Sequence, residues 1–188
     1  MKKWLTLTLA VVACMCMSIA FADLAKIGPY NITYSTSPSI ATFIGVPFTI
    51  DTYSGEKINT YSIIMVDFPN QKGAHISILP DGIPRPIDEA INGHFSELTI
   101  NRSLNSPRDI VYACINDSYS YYSQNYTYYD RRIDGSSGII AVPSESSYSP
   151  YVAAYFLNNS TPVLIFSYMS WDKTRVLLDN LHIVYEYA

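Results

Sequence analysis

The stretch Arg131–Val142 reads RRIDGSSGIIAV and predicts a reversal of the chain between two strands. Asp134 and Gly135 are expected to open this reversal, because Gly has no Cβ to clash at positive φ and Asp tolerates the left-handed region. We expect residues 136–138 to close it. Tyrosine-rich sequence precedes the turn and Ile139–Val142 follows it, which is typical of a hairpin between two half-buried strands.

The chain before this hairpin predicts an antiparallel meander. Four segments have the alternation or apolar content of strands: Tyr30–Ser35, Ala41–Tyr53, Ile58–Asp67 and Ala74–Leu79. Gly45 and Pro47 interrupt the second segment, so we expect a bulged or edge strand there. Short turns between consecutive strands favour antiparallel pairing.

Two segments have the periodicity of a helix instead. The first has four apolar residues spaced four, four and three apart: Ile87, Ile91, Phe95 and Leu98. Pro107 is expected to end this region. The second segment is Trp171–His182, for which Ser170 is a suitable N-cap. Its predicted inward face consists of Thr174, Leu177, Leu178 and Leu181.

The remaining segments of the C-terminal half predict strands. They are Asp109–Ile115, Tyr126–Ile133, Tyr151–Leu157, Pro162–Met169 and a last short strand or tail at Ile183–Tyr187. A turn at Asn158–Thr161 joins the third and fourth of these. Strand runs broken by two amphipathic helices predict an α+β fold, with the helices packed on an antiparallel sheet.

The first 22 residues have the pattern of a secretory signal peptide. Lys2 and Lys3 precede an apolar run from Trp4 to Phe21, and Ala20-Phe21-Ala22 fits a small-residue cleavage site. We therefore expect a signal peptide at 1–22 and a single domain at 23–188, secreted or held at the cell surface. Two alternatives would attach the protein to a membrane: an uncleaved apolar anchor, or a lipidated Cys14 in a bacterial-type lipobox.

The composition argues against nucleic acid as a partner. The net charge is −4, and phosphate recognition needs clustered Lys and Arg. The nearest approach to a basic patch is Arg131-Arg132, which Asp130 and Asp134 flank, so a salt-bridged strand end explains it. The 17 tyrosines and many Ser, Thr and Asn residues are instead typical of an exposed β-rich surface.

No pattern of a metal, cofactor or nucleophilic site stands out in the sequence. The three histidines, His75, His94 and His182, are not spaced as metal ligands with one another or with Cys or carboxylates. Cys114 is the one cysteine after residue 22, so an internal disulfide is excluded there. Its apolar surroundings predict a small buried hydrophobe. We expect no metal, no cofactor and no enzymatic activity.

Five phrases resemble small exported proteins of methanogenic archaea. They are the GPYN opening at Gly28–Tyr34, the YxGEKxxxY step at Tyr53–Tyr61, the IDGxxG hairpin at Ile133–Gly138, the YxxAxF strand at Tyr151–Phe156 and the WDxxxxLLxxLHI helix at Trp171–Ile183. The order of strands and helices also looks like the PsbP-like fold. That resemblance implies a curved antiparallel sheet flanked by two helices, and accessory or binding roles more often than catalysis.

The function predicted from these patterns is a non-enzymatic binding or accessory module at the cell surface, with a glycan or an envelope protein as its partner. The alternatives are a structural component of the cell envelope and a hydrolase with a dispersed active site. Rigid amphipathic contacts would come from the tyrosine-rich segment, and its candidate ligand-binding residues are Tyr119, Tyr121, Tyr122, Tyr126 and Tyr128. Candidate glycosylation sites in N-x-[ST] sequons are Asn116, Asn125, Asn158 and Asn159.

Overall fold

The computed structural model is an α+β domain dominated by antiparallel strands. It describes residues 22–35, 40–45, 48–51, 55–67, 72–85, 99–118, 125–144 and 149–186. The first eight strands are β1 (Ala22–Ile27), β2 (Tyr30–Ser35), β3 (Ile40–Ile44), β4 (Phe48–Asp51), β5 (Lys57–Asp67), β6 (Lys72–Ile78), β7 (Ile83–Arg85) and β8 (Thr99–Asn101). Helix α1 (Pro107–Ser118), β9 (Tyr126–Ile133), β10 (Ser136–Pro143), β11 (Tyr151–Leu157), β12 (Thr161–Ser167), helix α2 (Trp171–Asn180) and β13 (His182–Tyr185) follow.

The strands form one large and two small sheets. The large sheet has eight strands in the order β3-β5-β6-β12-β11-β10-β9, and β4 also pairs with β5. A three-stranded sheet has the order β1-β2-β13, and β7 pairs with β8 alone. Every pairing between the described strands is antiparallel. The predicted α+β class is therefore confirmed.

The large sheet has a separate hydrophobic core on each face. Successive residues along a strand point to opposite faces. Accordingly Ile140 lies in one core and Ile139 in the other. The first core joins this sheet to the three-stranded sheet and to Leu177 and Leu178 of α2. The second joins it to α1, mainly through Ile110 and Cys114. The two helices thus cover opposite faces of the large sheet.

The prediction of a strand at Asp109–Ile115 is wrong, because these residues belong to α1. Ser106 caps this helix: its hydroxyl accepts a hydrogen bond from the Asp109 N–H at 3.1 Å and donates to the Asp109 carboxylate at 2.6 Å. Pro107 begins the helix rather than ending a region, as its fixed φ suits the first helical position. The fully buried Ile110, Val111 and Cys114 then fall on one helical face.

The predicted four-stranded meander is only partly correct. β5 and β6 pair as expected, and β3 and β4 both pair with β5, so the interruption near Gly45 is confirmed. Strand β2, however, belongs to the three-stranded sheet, where it pairs with β1 and β13. Neither β1 nor the contact with the C-terminal strand was predicted, since strand pairing over more than 150 residues leaves no local pattern.

Three C-terminal predictions are confirmed. The two-residue turn at Asp134-Gly135 has φ of 51° and 72°, as a type I′ hairpin requires; β10 begins directly after it, at Ser136. The second hairpin turns at residues 158–160. In α2, Ser170 is the N-cap, and the four residues of the predicted inward face are all buried. The helix predicted from Ile87, Ile91, Phe95 and Leu98 lies outside the described residues.

Candidate functional site

The Asp134-Gly135 turn meets the end of α2 and forms a polar cluster there. The Asp134 carboxylate is 3% exposed. One of its oxygens, Oδ2, accepts hydrogen bonds from the Tyr155 hydroxyl at 3.1 Å and from the Ile183 N–H at 3.0 Å. The other, Oδ1, lies 2.6 Å from Nδ1 of His182. We call Asp134, Tyr155, His182 and the Ile183 N–H the hairpin clamp.

Burial keeps the Tyr155 hydroxyl of the hairpin clamp protonated. The side chain is fully buried, and this burial, together with the neighbouring Asp134 charge, raises the pKa of Tyr155 well above its usual value. The phenol therefore remains a donor to the carboxylate at any ordinary pH. Gly138 leaves room for this arrangement, because a Cβ there would lie 3.1 Å from Cβ of Tyr155 and 2.8 Å from the Ala154 carbonyl oxygen.

The hairpin clamp contains a carboxylate–imidazole pair, which hydrolases use to orient a general base. His182 is 65% exposed, so its ring reaches solvent. Within the described residues, no Ser, Thr or Cys side chain is hydrogen-bonded to His182, so the pair lacks a nucleophile there. Asp134 uses its other oxygen to hold the backbone of β13, which is a structural role.

An aromatic and cationic surface lies beside the hairpin clamp. Arg131 of β9 forms an ion pair with Asp179 of α2, and its guanidinium carbon lies 6.0 Å from the ring centre of Trp171. The Trp171 ring also packs against Tyr151 at 5.4 Å between ring centres. Tyr129 shares the β9 face of Arg131, because residues two apart point the same way. We call Tyr129, Arg131, Tyr151 and Trp171 the aromatic–arginine surface.

This surface combines an exposed apolar part with a fixed charge. Tyr129 is 53% exposed and Trp171 is 36% exposed, whereas Tyr151, which packs against Trp171, is buried. Arg131 is held from two sides, by the Asp179 carboxylate and by the Trp171 ring, which favours a cation over its face. A ligand would therefore meet flat rings next to a guanidinium whose position is already set.

A groove of about 420 Å³ opens at the tip of the hairpin. It is lined by Asp130, Arg131, Arg132, Gly135, Ser137 and Gly138. Arg132 donates to the Gly135 carbonyl oxygen at 2.9 Å, and Asp130 pairs with Arg108 of α1 at 3.4 Å. Because successive side chains of a strand point to opposite faces, Asp130 and Arg132 line the groove from the α1 face. Arg131 points to the α2 face, so the groove and the aromatic–arginine surface lie on opposite sides of β9.

The predicted tyrosines are divided between described and undescribed parts of the chain. Tyr119, Tyr121 and Tyr122 lie outside the described residues. Tyr126 and Tyr128 lie on β9, but they face α1 and are half-buried against the second core.

Tyr126 and Tyr128 each have a definite packing role. Tyr128 stacks on Tyr112 at 4.3 Å between ring centres. The Tyr126 hydroxyl donates to the Pro150 carbonyl oxygen at 3.3 Å, and burial raises the pKa of Tyr126 to about 12.

The candidate glycosylation sites are all exposed. Asn125 precedes β9, and Asn158 and Asn159 form the turn between β11 and β12 with φ of 52° and 59°. Asn116 lies near the end of α1. Exposure is what an acceptor needs, so all four remain candidates.

The two described histidines occupy different environments. His75 is on β6, where Nε2 lies 3.3 Å from the Ser77 hydroxyl, and burial lowers its pKa. His182, which directly follows α2, pairs with Asp134. His94 lies outside the described residues. Cys114 is free and fully buried, as predicted.

Within the described ranges, no group of three or more His, Cys, Asp or Glu side chains could hold a metal ion. In the same part of the chain, no helix has both the length and the apolar character needed to cross a membrane.

Searches of protein-family models, curated proteins and solved structures found no match to this chain. The resemblance to exported archaeal proteins and to the PsbP-like fold therefore stays a prediction.

Sequence reasoning missed most of the aromatic–arginine surface. Alternation along Tyr126–Ile133 could have separated Tyr129 and Arg131 from Tyr126 and Tyr128. Trp171 gave no such signal, since its place beside Arg131 depends on how α2 packs across the sheet.

Proposed function

We propose that this chain is a non-enzymatic binding module, secreted or held at the cell surface, that recognises a glycan through the aromatic–arginine surface. The observation that carries the proposal is the position of Arg131. Its guanidinium carbon lies 6.0 Å from the centre of the Trp171 ring, and its ion pair with Asp179 holds it there, so flat apolar rings adjoin a hydrogen-bonding ion pair.

This combination suits the chemistry of sugars. A pyranose has flat patches of C–H groups that pack on aromatic rings, and Trp and Tyr offer large contact area at low entropic cost. Its hydroxyl groups need hydrogen-bond partners at the edge of that contact. On the face of the rings, Arg131 supplies donors and the exposed Asp179 carboxylate supplies acceptors.

The rigidity of the surface also supports a binding role. Arg131 is fixed by Asp179 and by Trp171, and the hairpin clamp fixes the turn that follows it. A preorganised surface loses less conformational entropy when a ligand binds. The proposal assigns the Asp134–His182 pair to this support and requires no nucleophile. An extracellular location rests on the N-terminal signal pattern alone.

Intrinsic fluorescence provides a direct test, because the chain has two tryptophans, Trp4 and Trp171. After removal of the signal peptide, Trp171 would be the single reporter, at the centre of the proposed site. We expect a panel of soluble oligosaccharides to include members that change its emission saturably. Tyr129→Ala should weaken that binding by about fivefold, which corresponds to about 1 kcal/mol.

Tyr112→Ala is the matched control. Tyr112 is a similarly exposed tyrosine, but it lies on α1, across the sheet from Trp171. Loss of binding in this variant, with Tyr129→Ala unchanged, would move the site to the face of Tyr126 and Tyr128. A panel with no saturable member would refute the glycan proposal and favour the alternative of a structural envelope component.

A further inference from the structure

Strand β9 forms one edge of the large sheet in the part of the chain that the structure describes. Among the described strands it pairs only with β10. Its eight residues contain no Pro or Lys and pair with β10 without a bulge, and of its charged residues, which can also protect an edge, Asp130 and Arg131 are paired within the chain. The opposite edge differs, since two short strands form it: β3 has five residues and β4 has four. The Asp130 side chain is 89% exposed, so nothing described covers the middle of β9.

The hairpin register determines which backbone groups of β9 face outward. The two-residue turn places Ile133 opposite Ser136, and a turn of this kind closes on a hydrogen-bonded pair. Hydrogen-bonded and non-hydrogen-bonded pairs then alternate along an antiparallel ladder. The odd-numbered residues from Ile133 to Thr127 therefore bond to β10. The outward N–H and C=O groups belong to Tyr126, Tyr128, Asp130 and Arg132.

We propose that two copies of this chain associate by antiparallel pairing of β9 with β9, about a two-fold axis at Tyr129. The outward groups lie at even-numbered positions, so an even residue must face an even one. With the axis at Tyr129, Tyr128 faces Asp130 and Tyr126 faces Arg132. The four resulting hydrogen-bonded pairs would contribute about eight backbone hydrogen bonds.

Charge and overlap favour this register over its neighbours. An axis at Asp130 would place the two Asp130 side chains opposite each other, and an axis at Arg131 would do the same with Arg131. Like charges directly opposite destabilise a ladder. An axis at Tyr128 would shorten the overlap to residues 126–130. The register at Tyr129 pairs residues 126–132 with no like charges directly opposite.

Side chains on both faces are compatible with this pairing. On the α2 face, the two Tyr129 rings meet in a non-hydrogen-bonded pair, where side chains are closest and aromatic pairs are favourable. On the α1 face, Arg132 lies opposite the Tyr126 ring, which favours a cation. Asp130 and Arg131 already have partners in Arg108 and Asp179, so the edge carries little unbalanced charge.

Such a dimer would present two aromatic–arginine surfaces on the same face of one continuous sheet. This consequence rests on the proposed function, whereas the pairing itself does not. Two sites held in a fixed relation would bind a repeating glycan with avidity greater than that of one site.

A charge-swap experiment at Tyr129 tests the axis directly, because only the residue on the axis meets its own copy. We expect wild-type protein to sediment with twice the mass of the single chain. Tyr129→Lys and Tyr129→Glu alone should each weaken association by at least about tenfold, since like charges would face each other. An equimolar mixture of the two variants should restore the dimer.

Three outcomes would overturn the pairing: a monomeric wild type at high concentration, single variants that remain dimeric, or a mixture that stays monomeric while both variants keep wild-type circular dichroism. Thr127→Lys, which faces Arg131 across the proposed interface, should also dissociate the dimer while leaving Tyr129 and Trp171 intact. A monomeric wild type that still binds oligosaccharide would refute the pairing and retain the proposed function. A dimer without oligosaccharide binding would do the reverse.

Discussion

Replacement of Asp134 by Ala should destabilise the fold more than any ordinary surface substitution. The carboxylate is the acceptor for the Tyr155 hydroxyl and the Ile183 N–H. Its removal leaves two donors without this acceptor in a place that water does not reach readily, and each such donor costs about 1–3 kcal/mol. Ala at φ of 51° adds about 1 kcal/mol, since its Cβ disfavours the left-handed region.

The expected loss is therefore about 4 kcal/mol, a large part of the roughly 5–15 kcal/mol that stabilises a typical domain. The pairing with His182 adds little to this value, because that side chain is exposed to solvent. Urea unfolding followed by circular dichroism would measure the change as a lower midpoint at unchanged slope.

Asp134→Asn is the matched control, since Asn also tolerates the left-handed region. Its amide oxygen can occupy the place of Oδ2 and accept from both Tyr155 and Ile183, while its NH₂ group faces His182. The expected cost is about 1 kcal/mol. Tyr155→Phe should cost about 1 kcal/mol in the wild type and less in the Asp134→Ala background, because the two share one hydrogen bond. Equal stabilities of Asp134→Ala and Asp134→Asn would refute the reasoning about unsatisfied donors.

Three further predictions concern charge and pH. Burial lowers the pKa of His75, so its contribution to stability is present above about pH 6.5 and is lost as the pH falls through the lowered value. His75→Gln should therefore flatten the dependence of stability on pH below about pH 6.5 in urea titrations. Burial raises the pKa of Tyr30 to about 12, so stability should fall by up to about 2 kcal/mol as the pH rises from 10 to 12, and Tyr30→Phe should remove that fall. The Lys173 ammonium lies 2.6 and 2.7 Å from the two carboxylate oxygens of the buried Asp67. Lys173→Met should therefore lower the free energy of unfolding by about 3 kcal/mol, measured in thermal or urea unfolding. A loss below about 1 kcal/mol would mean that the ammonium contributes little to stability.

The local patterns of the sequence determined several features of this protein. The Asp134-Gly135 turn, the apolar face of α2 and the alternation of the C-terminal strands each depend on residues close together in the chain. Their physical causes, which are φ preference and the periods of helix and strand, act locally. The α+β class follows from such elements taken in order.

Local patterns also have a limit, which α1 illustrates. The apolar run at Ile110–Ile115 fits a buried strand or a buried helix equally, because periodicity does not separate them over so short a stretch. The Ser106–Asp109 cap and Pro107 at the first helical position decide in favour of the helix, and both were readable in the sequence. The apolar run alone is compatible with the predicted strand, whereas the cap marks the start of a helix.

Only the tertiary structure decided where distant segments meet. β2 lies between β1 and β13, and α2 places Trp171 and Asp179 beside Arg131. These contacts form because both faces of the large sheet must be buried at the same time. That requirement involves the whole chain, so it cannot be read from any single segment. The sequence by itself therefore determined the elements and the hairpin, whereas the packing of α2 across the sheet determined the aromatic–arginine surface and the hairpin clamp.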